Sequence, residues 1–278
     1  MTYEMRNTAQ IEAELTNTQV PPDGLALWSL GQAGLIIKNS SGELLAIDPY
    51  LSSAIERANP ETEFVRNFPP VLPPKALRVC NAVLISHFHD DHMDRATLEP
   101  LAAIAPELPI WLPSPDVHQL KVSNVRAAKT GKVITSGNFR ILPIAAAHSS
   151  YQRDETGNDR FLGYFISCDT VSLWHSGDTL VTDELTEQMK LLKPTINVLP
   201  INGGDHARQT RGIMPNMHFR EAADLHFTLG SDLLLPCHYD MFSSNRDNPA
   251  WFVDDMLTRY PGKKFHLMMP GERFIYLS

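Results

Sequence analysis

Apolar residues fall in short runs along the chain, separated by turn-forming residues, and the spacing within each run distinguishes strands from helices. Residues 9–20 scatter apolar positions among polar ones, as in a short polar helix, which Pro21 and Pro22 should stop. From residue 25 the pattern changes. LALWSLGQAGLIIKN (25–39) and GELLAIDPYL (42–51) predict two strands joined by the turn NSSG, and NAVLIS (81–86) predicts a third, preceded by the proline-rich loop FPPVLPP (68–74). Residues 94–107 place apolar side chains at helical spacing behind Asp94, a natural N-cap. LPIWLPSP (108–115) predicts a strand and DVHQLKVS (116–123) a helix.

Short strands punctuated by Gly and Asn turns follow between residues 131 and 179 and predict a second sheet. The rest alternates: helix 183–193, strand 196–201, helix 219–230, strand 232–240, helix 251–260 and a closing hairpin over 264–277. Two sheets with helices outside them give a layered α/β fold. With no linker or low-complexity segment, the expected organisation is one domain over residues 1–278, on which a helical N-terminal segment, residues 1–23, packs.

Composition narrows the classes. With 43% hydrophobic and 20% charged residues the chain is an ordinary globular sequence, and a net charge of −8 gives no footing for a nucleic-acid backbone. The 3 cysteines, Cys80, Cys168 and Cys237, are too few and too scattered for a disulfide framework. MTYEMRNTAQ has no basic start with an apolar core behind it, and no apolar run approaches the roughly 18 residues of a spanning helix. The expectation is a cytoplasmic protein without membrane partners.

Chemistry concentrates in AVLISHFHDDHMD (82–94), where an apolar strand runs into His87, His89, Asp90, Asp91 and His92. Three later apolar stretches also end in metal-binding residue types: His148 after LPIAAA, Asp178 in LWHSGDT and His238 after LLLPC. Loops at strand ends are where a rigid scaffold can bring together side chains from distant sequence. Imidazole and carboxylate ligands without a thiolate suit zinc, manganese or ferrous ions.

This pattern, HxHxDH followed by His, Asp and His on later strands, resembles the metallo-β-lactamase-fold superfamily. The resemblance implies a four-layer αββα sandwich. It implies one divalent ion on His87, His89 and His148, a second on Asp91, His92 and His238, and Asp178 bridging them. It also puts Asp48, in LLAIDPYL, where the superfamily has an acid that orients a metal-bound histidine. Further stretches, ALWSLGQAGLIIK, RGIMPNMHFREAADL and LPCHYDMFSSNRDNP, are similar to the ascorbate-6-phosphate lactonase family. That similarity implies a cytoplasmic, homo-oligomeric lactonase using two Mn2+ or Zn2+ ions, with Fe2+ also compatible.

The expected substrate is an anionic sugar lactone such as L-ascorbate 6-phosphate. Water shared by the two ions would add to its carbonyl, with Asp178 holding the ions together. Asp91, or more weakly Tyr239, would return a proton to the ring oxygen. His206, Arg208 and Arg211, in GDHARQTRG (204–212), are the expected phosphate contacts. A dinuclear phosphodiesterase for cyclic nucleotides or phospholipids is the competing enzyme reading, and a non-catalytic metal-binding scaffold the competing class. His175 and the isolated His118, His218, His226 and His266 are expected to be structural.

Overall fold

A computed structural model describes residues 6–278; the part of the expected N-terminal segment at residues 1–5 lies outside the described residues. The chain begins with α1 (Thr8–Asn17), capped by the Asn7 side chain, which accepts from the N–H of Ala9. The helix ends at Thr18, ahead of the prolines. The first sheet is built from β1 (Gly24–Gly31), β2 (Gly34–Lys38), β3 (Leu44–Ile47), β4 (Ala82–Leu84), β5 (Ile110–Pro113) and β6 (Val125–Ala128), with α2 (Ala54–Ala58) and α3 (Arg95–Ile104) between strands. The second takes β7 (Ile134–Ser136), β8 (Phe139–Ala145), β9 (Leu162–Cys168), β10 (Val171–His175), β11 (Ile196–Pro200) and β12 (Leu233–Cys237). Its crossings are made by α4 (Asp183–Leu192), α5 (His206–Thr210) and α6 (Phe219–Leu229), and α7 (Pro249–Arg259) follows β12.

Two short strands close the chain, β13 (Lys264–Phe265) and β14 (Arg273–Leu277). They do not form the expected hairpin. β13 pairs in parallel with β12 at the edge of the second sheet, and β14 pairs antiparallel with β1 at the edge of the first. Each sheet thus has seven strands, ordered β14-β1-β2-β3-β4-β5-β6 and β13-β12-β11-β10-β9-β8-β7. Two other expectations also change. Residues 25–39 are a hairpin, not one strand, turning at Gln32 and Ala33, with positive φ at Gly31 (82°) and Gln32 (55°). Residues 114–119 form a 3-10 turn where a helix was expected over 116–123.

Alternation within strands sorts side chains into layers. In β1 and β2, Leu25, Leu27, Leu35 and Ile37 face the other sheet, where they meet Ile141, Tyr164, Ile166 and Leu173. Ala26, Trp28, Leu30 and Ile36 face outward onto α1 and α3, through Ile11, Leu15, Leu98 and Leu101. On the far side, Trp174, Leu199 and Leu234 pack against Leu185, Met189, Ala222, Leu225, Phe252 and Met256 of α4, α6 and α7. The layers are therefore helix, sheet, sheet, helix: an αββα sandwich. Strands buried on both faces lose the polar alternation of a surface strand, which is why the sequence shows them as continuous apolar runs.

Candidate metal centre

β3 and β4 are parallel neighbours, as are β10, β11 and β12, and β8 runs antiparallel to β9 as β10 does. The chain therefore leaves β3, β4, β8, β10 and β12 at one rim of the sandwich. The segments that follow carry Asp48, residues 86–92, His148, Asp178 and His238. The rim is tied across the sheets: Leu162 N–H donates to Ser86 O at 2.9 Å, and Tyr164 O–H to Ile85 O at 2.7 Å. Gly177, at φ 61°, is required there because a Cβ would sit 2.4 Å from Leu162 O.

Seven side chains converge at this rim in overlapping triplets whose ligand atoms lie within 4.8 Å of one another: His87, His89 and His148; His87, His92 and Asp178; Asp91, His92 and His238. His87 Nε2 and His89 Nδ1 point at each other across 2.9 Å. His238 Nε2 stands 3.2 Å from Asp178 Oδ2 and 3.5 Å from Asp91 Oδ2, and His148 Nε2 is 3.8 Å from Asp178 Oδ2. His92 Nε2 and Asp178 Oδ1, both buried, are 3.5 Å apart without a hydrogen bond. Buried polar atoms left in this state are costly unless something else binds them.

Hydrogen-bond logic fixes which ring nitrogens face the centre. Asp48 is fully buried and can only accept, so it takes the N–H and O–H of Ser86, at 2.7 and 2.5 Å, and the Nδ1–H of His92, at 2.8 Å. With its proton committed to Asp48, Ser86 Oγ is left to accept from His87 Nδ1–H at 2.9 Å. Both rings therefore turn Nε2 to the centre, and His92 would offer a lone pair there once a cation displaced its second proton. Asp178 Oδ2 accepts from Asn216 Nδ2 at 2.9 Å, and Asp91 Oδ2 from Gln32 Nε2 at 2.7 Å.

Charge is divided unevenly. Burial drives His87 well below the usual histidine range, with His92 and His89 adding to it, and pushes His148 down to about 4. These rings are neutral ligands at pH 7. Burial acts the same way on His92 and His238, yet the carboxylates of Asp178 and Asp91 overcome it, raising His92 well above its ordinary value and His238 to about 9. Burial pushes Asp91 and Asp178 up, but the adjacent imidazoles hold both below the usual carboxylate range. The carboxylates have drawn protons onto their neighbours, a demand for positive charge that a divalent cation would meet. The donor set fits such an ion, and the same seven side chains are within reach to hold it.

The other sequence-designated residues are elsewhere. Arg208 is buried and occupied, donating to Asp205 Oδ2 at 2.6 Å, Asn202 O at 2.7 Å and Asp247 Oδ1 at 3.2 Å. Arg211 pairs with Glu63 at 3.0 Å, and His206 is exposed on α5. Tyr239 packs toward the second sheet's helical layer, away from the cavity at the centre. None of the four lines that cavity, so the expected phosphate contacts are not assembled there. His175 is structural, bonding Ala33 O at 2.7 Å and accepting from Gly177 N–H. Sequence reasoning missed Ser86, Gln32 and Asn216; their one signal was a place inside the motif or the family-like stretches.

Known proteins similar to this chain place it in a family. A UPF0173 metal-dependent hydrolase of Koribacter versatilis is 27% identical over 239 residues, covering 82% of this chain and 89% of its own. A probable L-ascorbate-6-phosphate lactonase, UlaG, of Shigella flexneri is 21% identical over 305 residues, covering 94% and 84%. Among solved structures, an isothiocyanate hydrolase from Delia radicum gut bacteria superimposes with a TM-score of 0.72 at 17% identity, over 91% of this chain and 100% of that one. Igni18, a metallo hydrolase from Ignicoccus hospitalis, gives a TM-score of 0.65 at 22% identity, over 91% and 98%. The family model of the beta-lactamase superfamily domain matches residues 45–239, which runs from β3, where Asp48 follows, to the residue after His238 and so includes all seven converging side chains. The chain belongs to that superfamily and is a metal-dependent hydrolase of the metallo-β-lactamase fold.

Proposed function

We propose that the protein hydrolyses carboxylic esters or lactones at a two-metal centre. His87, His89 and His148 would hold one ion and Asp91, His92 and His238 the other, with Asp178 within reach of both groups. The observation that carries the reading is the convergence of these seven side chains, five of which, His89, Asp91, His148, Asp178 and His238, line an open cavity. Two divalent ions bound there would acidify a water and polarise a carbonyl or phosphoryl oxygen.

The chain's own groups then have defined tasks. Asp48 and Ser86 fix the tautomers of His92 and His87, and Asn216 and Gln32 hold the carboxylates of Asp178 and Asp91 in place. Asp91 lines the cavity and is ionised at neutral pH, so it can take the proton released when water adds to the carbonyl and return it to the leaving oxygen. The likeness to UlaG supports an ester-type bond. Its phosphate is not carried over, because Arg208 and Arg211 are paired elsewhere.

Purified protein loaded separately with manganese and zinc should hydrolyse members of a panel of lactones and aryl esters. His87→Ala should lower that activity by at least about 1,000-fold, as expected when a ligand of the acidifying ion is lost. Rapid cleavage of bis-p-nitrophenyl phosphate or cyclic nucleotides, with no ester or lactone turned over, would replace this reading with the phosphodiesterase one.

A further inference from the structure

The cavity above the centre encloses about 270 Å3, just under the range of roughly 300–1,000 Å3 that takes drug-sized ligands. Its floor is polar: His89, Asp91, His148, Asp178 and His238. Its walls are mainly apolar, formed by Ile55, Phe64, Ile213, Met214 and Phe242, with Gly212 and the amide of Asn245 completing them. Phe64 and Phe242 meet edge to face at 5.5 Å; Phe242 forms a buried cluster with Tyr50, Phe68 and Met241, against which Phe64 and Ile55 pack. The wall is a packed structural feature and not an accident of loop exposure.

Charge around the rim points the same way. No lysine or arginine lines the cavity among the described residues, and the charged group beyond the ligands is Asp90. Of the nearby arginines, Arg66, Arg208 and Arg211 are held within the protein, and Arg246, exposed next to the lining residue Asn245, does not itself line the cavity. Arg66 donates to the carbonyls of Phe68, Tyr50 and Ser52 and lies 4.5 Å over the Tyr50 ring. Arg211 is paired with Glu63, and Arg208 with Asp205 and Asp247. An anionic group held at the walls, away from the metal-binding floor, would lie against aromatic rings and a carboxylate, with no lysine or arginine among the lining residues to replace the water it gave up.

We infer that the part of the substrate that does not react is uncharged and apolar, a short alkyl or aryl group seated between Phe64, Phe242, Ile213 and Met214. This rests on the ester reading only for the bond that breaks.

The test uses two probes of equal length that differ at the tail, titrated calorimetrically into zinc-loaded protein. Hexanohydroxamic acid ends in a methyl group, and adipic acid monohydroxamate ends in a carboxylate; the hydroxamate of each chelates the metal. The neutral tail should bind at least about 30-fold more tightly, within the range that a few apolar contacts supply. Phe64→Ala should weaken the neutral probe about tenfold and leave the anionic one nearly unchanged. Met214→Lys, at a half-buried wall position, should shrink the ratio about tenfold by favouring the carboxylate. Equal or tighter binding of the adipate probe overturns the inference even if esters are hydrolysed. The expected preference without turnover of any ester or lactone leaves the inference standing and removes the reaction class. Failure of both probes to bind refutes the metal centre and the inference with it.

Discussion

Asp48 accepts three hydrogen bonds, from Ser86 N–H, Ser86 O–H and His92 Nδ1–H, and the second of these sets the direction in which Ser86 can serve His87. One carboxylate thus orients a ligand of each proposed ion. Asp48→Asn offers an amide –NH2 where a donor already points, so one of the three bonds must break and the His92 ring loses its fixed tautomer. Metal affinity should fall by about 10–100-fold, the usual cost of losing such a partner. Competition against a chromophoric chelator measures this, and unchanged affinity would mean that Asp48 only stabilises the loop. The seven side chains that converge were legible in the sequence because metal binding draws on few residue types, and HxHxDH packs four such residues into six positions. Gln32 and Asn216 were not, because amides serve caps, turns and cores alike and nothing in their spacing marks the role.

Among elements, legibility followed burial. The strands were visible as apolar runs because both of their faces are covered, but the same property hid the turn between β1 and β2. Gly31-Gln32-Ala33-Gly34 is short and nearly apolar, so the run appeared unbroken from residue 25 to 39. That turn positions the centre: Gln32 reaches Asp91 with its side chain, accepts the His238 N–H at its carbonyl at 2.8 Å, and donates its own N–H to Asp240 at 2.9 Å. The closing hairpin was misjudged for a different reason. Residues 264–277 have hairpin spacing and a Pro-Gly at 270–271, but the two strands leave in opposite directions to cap different sheets, and only the pairing of whole sheets reveals it. Arg208 and Arg211 are used by partners that residue type does not announce: Asp205, three positions before Arg208, and Asp247 and Glu63, which the local sequence does not bring near.

At the scale of the molecule, the centre and the folded state are linked through protons. In metal-free protein His238 titrates at about 9 against an ordinary value of 6.5, so the stability it contributes is complete below pH 6.5 and is lost as pH rises to about 9. His148 and the core residue His226 are both pushed down to about 4, by burial first, so their contribution is complete above pH 6.5 and is lost as pH falls through about 4. Chelator-treated protein should therefore melt at its highest temperature near pH 6.5 and lose stability on both sides. Zinc-loaded protein should lose the alkaline decline, because the ion takes the place of the proton at His238. Thermal melts of both forms from about pH 5 to 9 test this, and a matching alkaline decline in the two forms would argue against His238 as a ligand.

The αββα layering was also legible at this scale, from two groups of strands with helices between and after them, and it is what delivers five strand ends to one rim. The central claim, two ions held by seven side chains there, is tested most directly by anomalous diffraction from crystals of protein loaded with zinc or manganese. The expected result is two peaks about 3.5–4 Å apart, one within bonding distance of His87, His89 and His148, the other of Asp91, His92 and His238, with Asp178 reaching both. A fully loaded crystal with no peak among these residues, from protein that still hydrolyses its substrate, would contradict it.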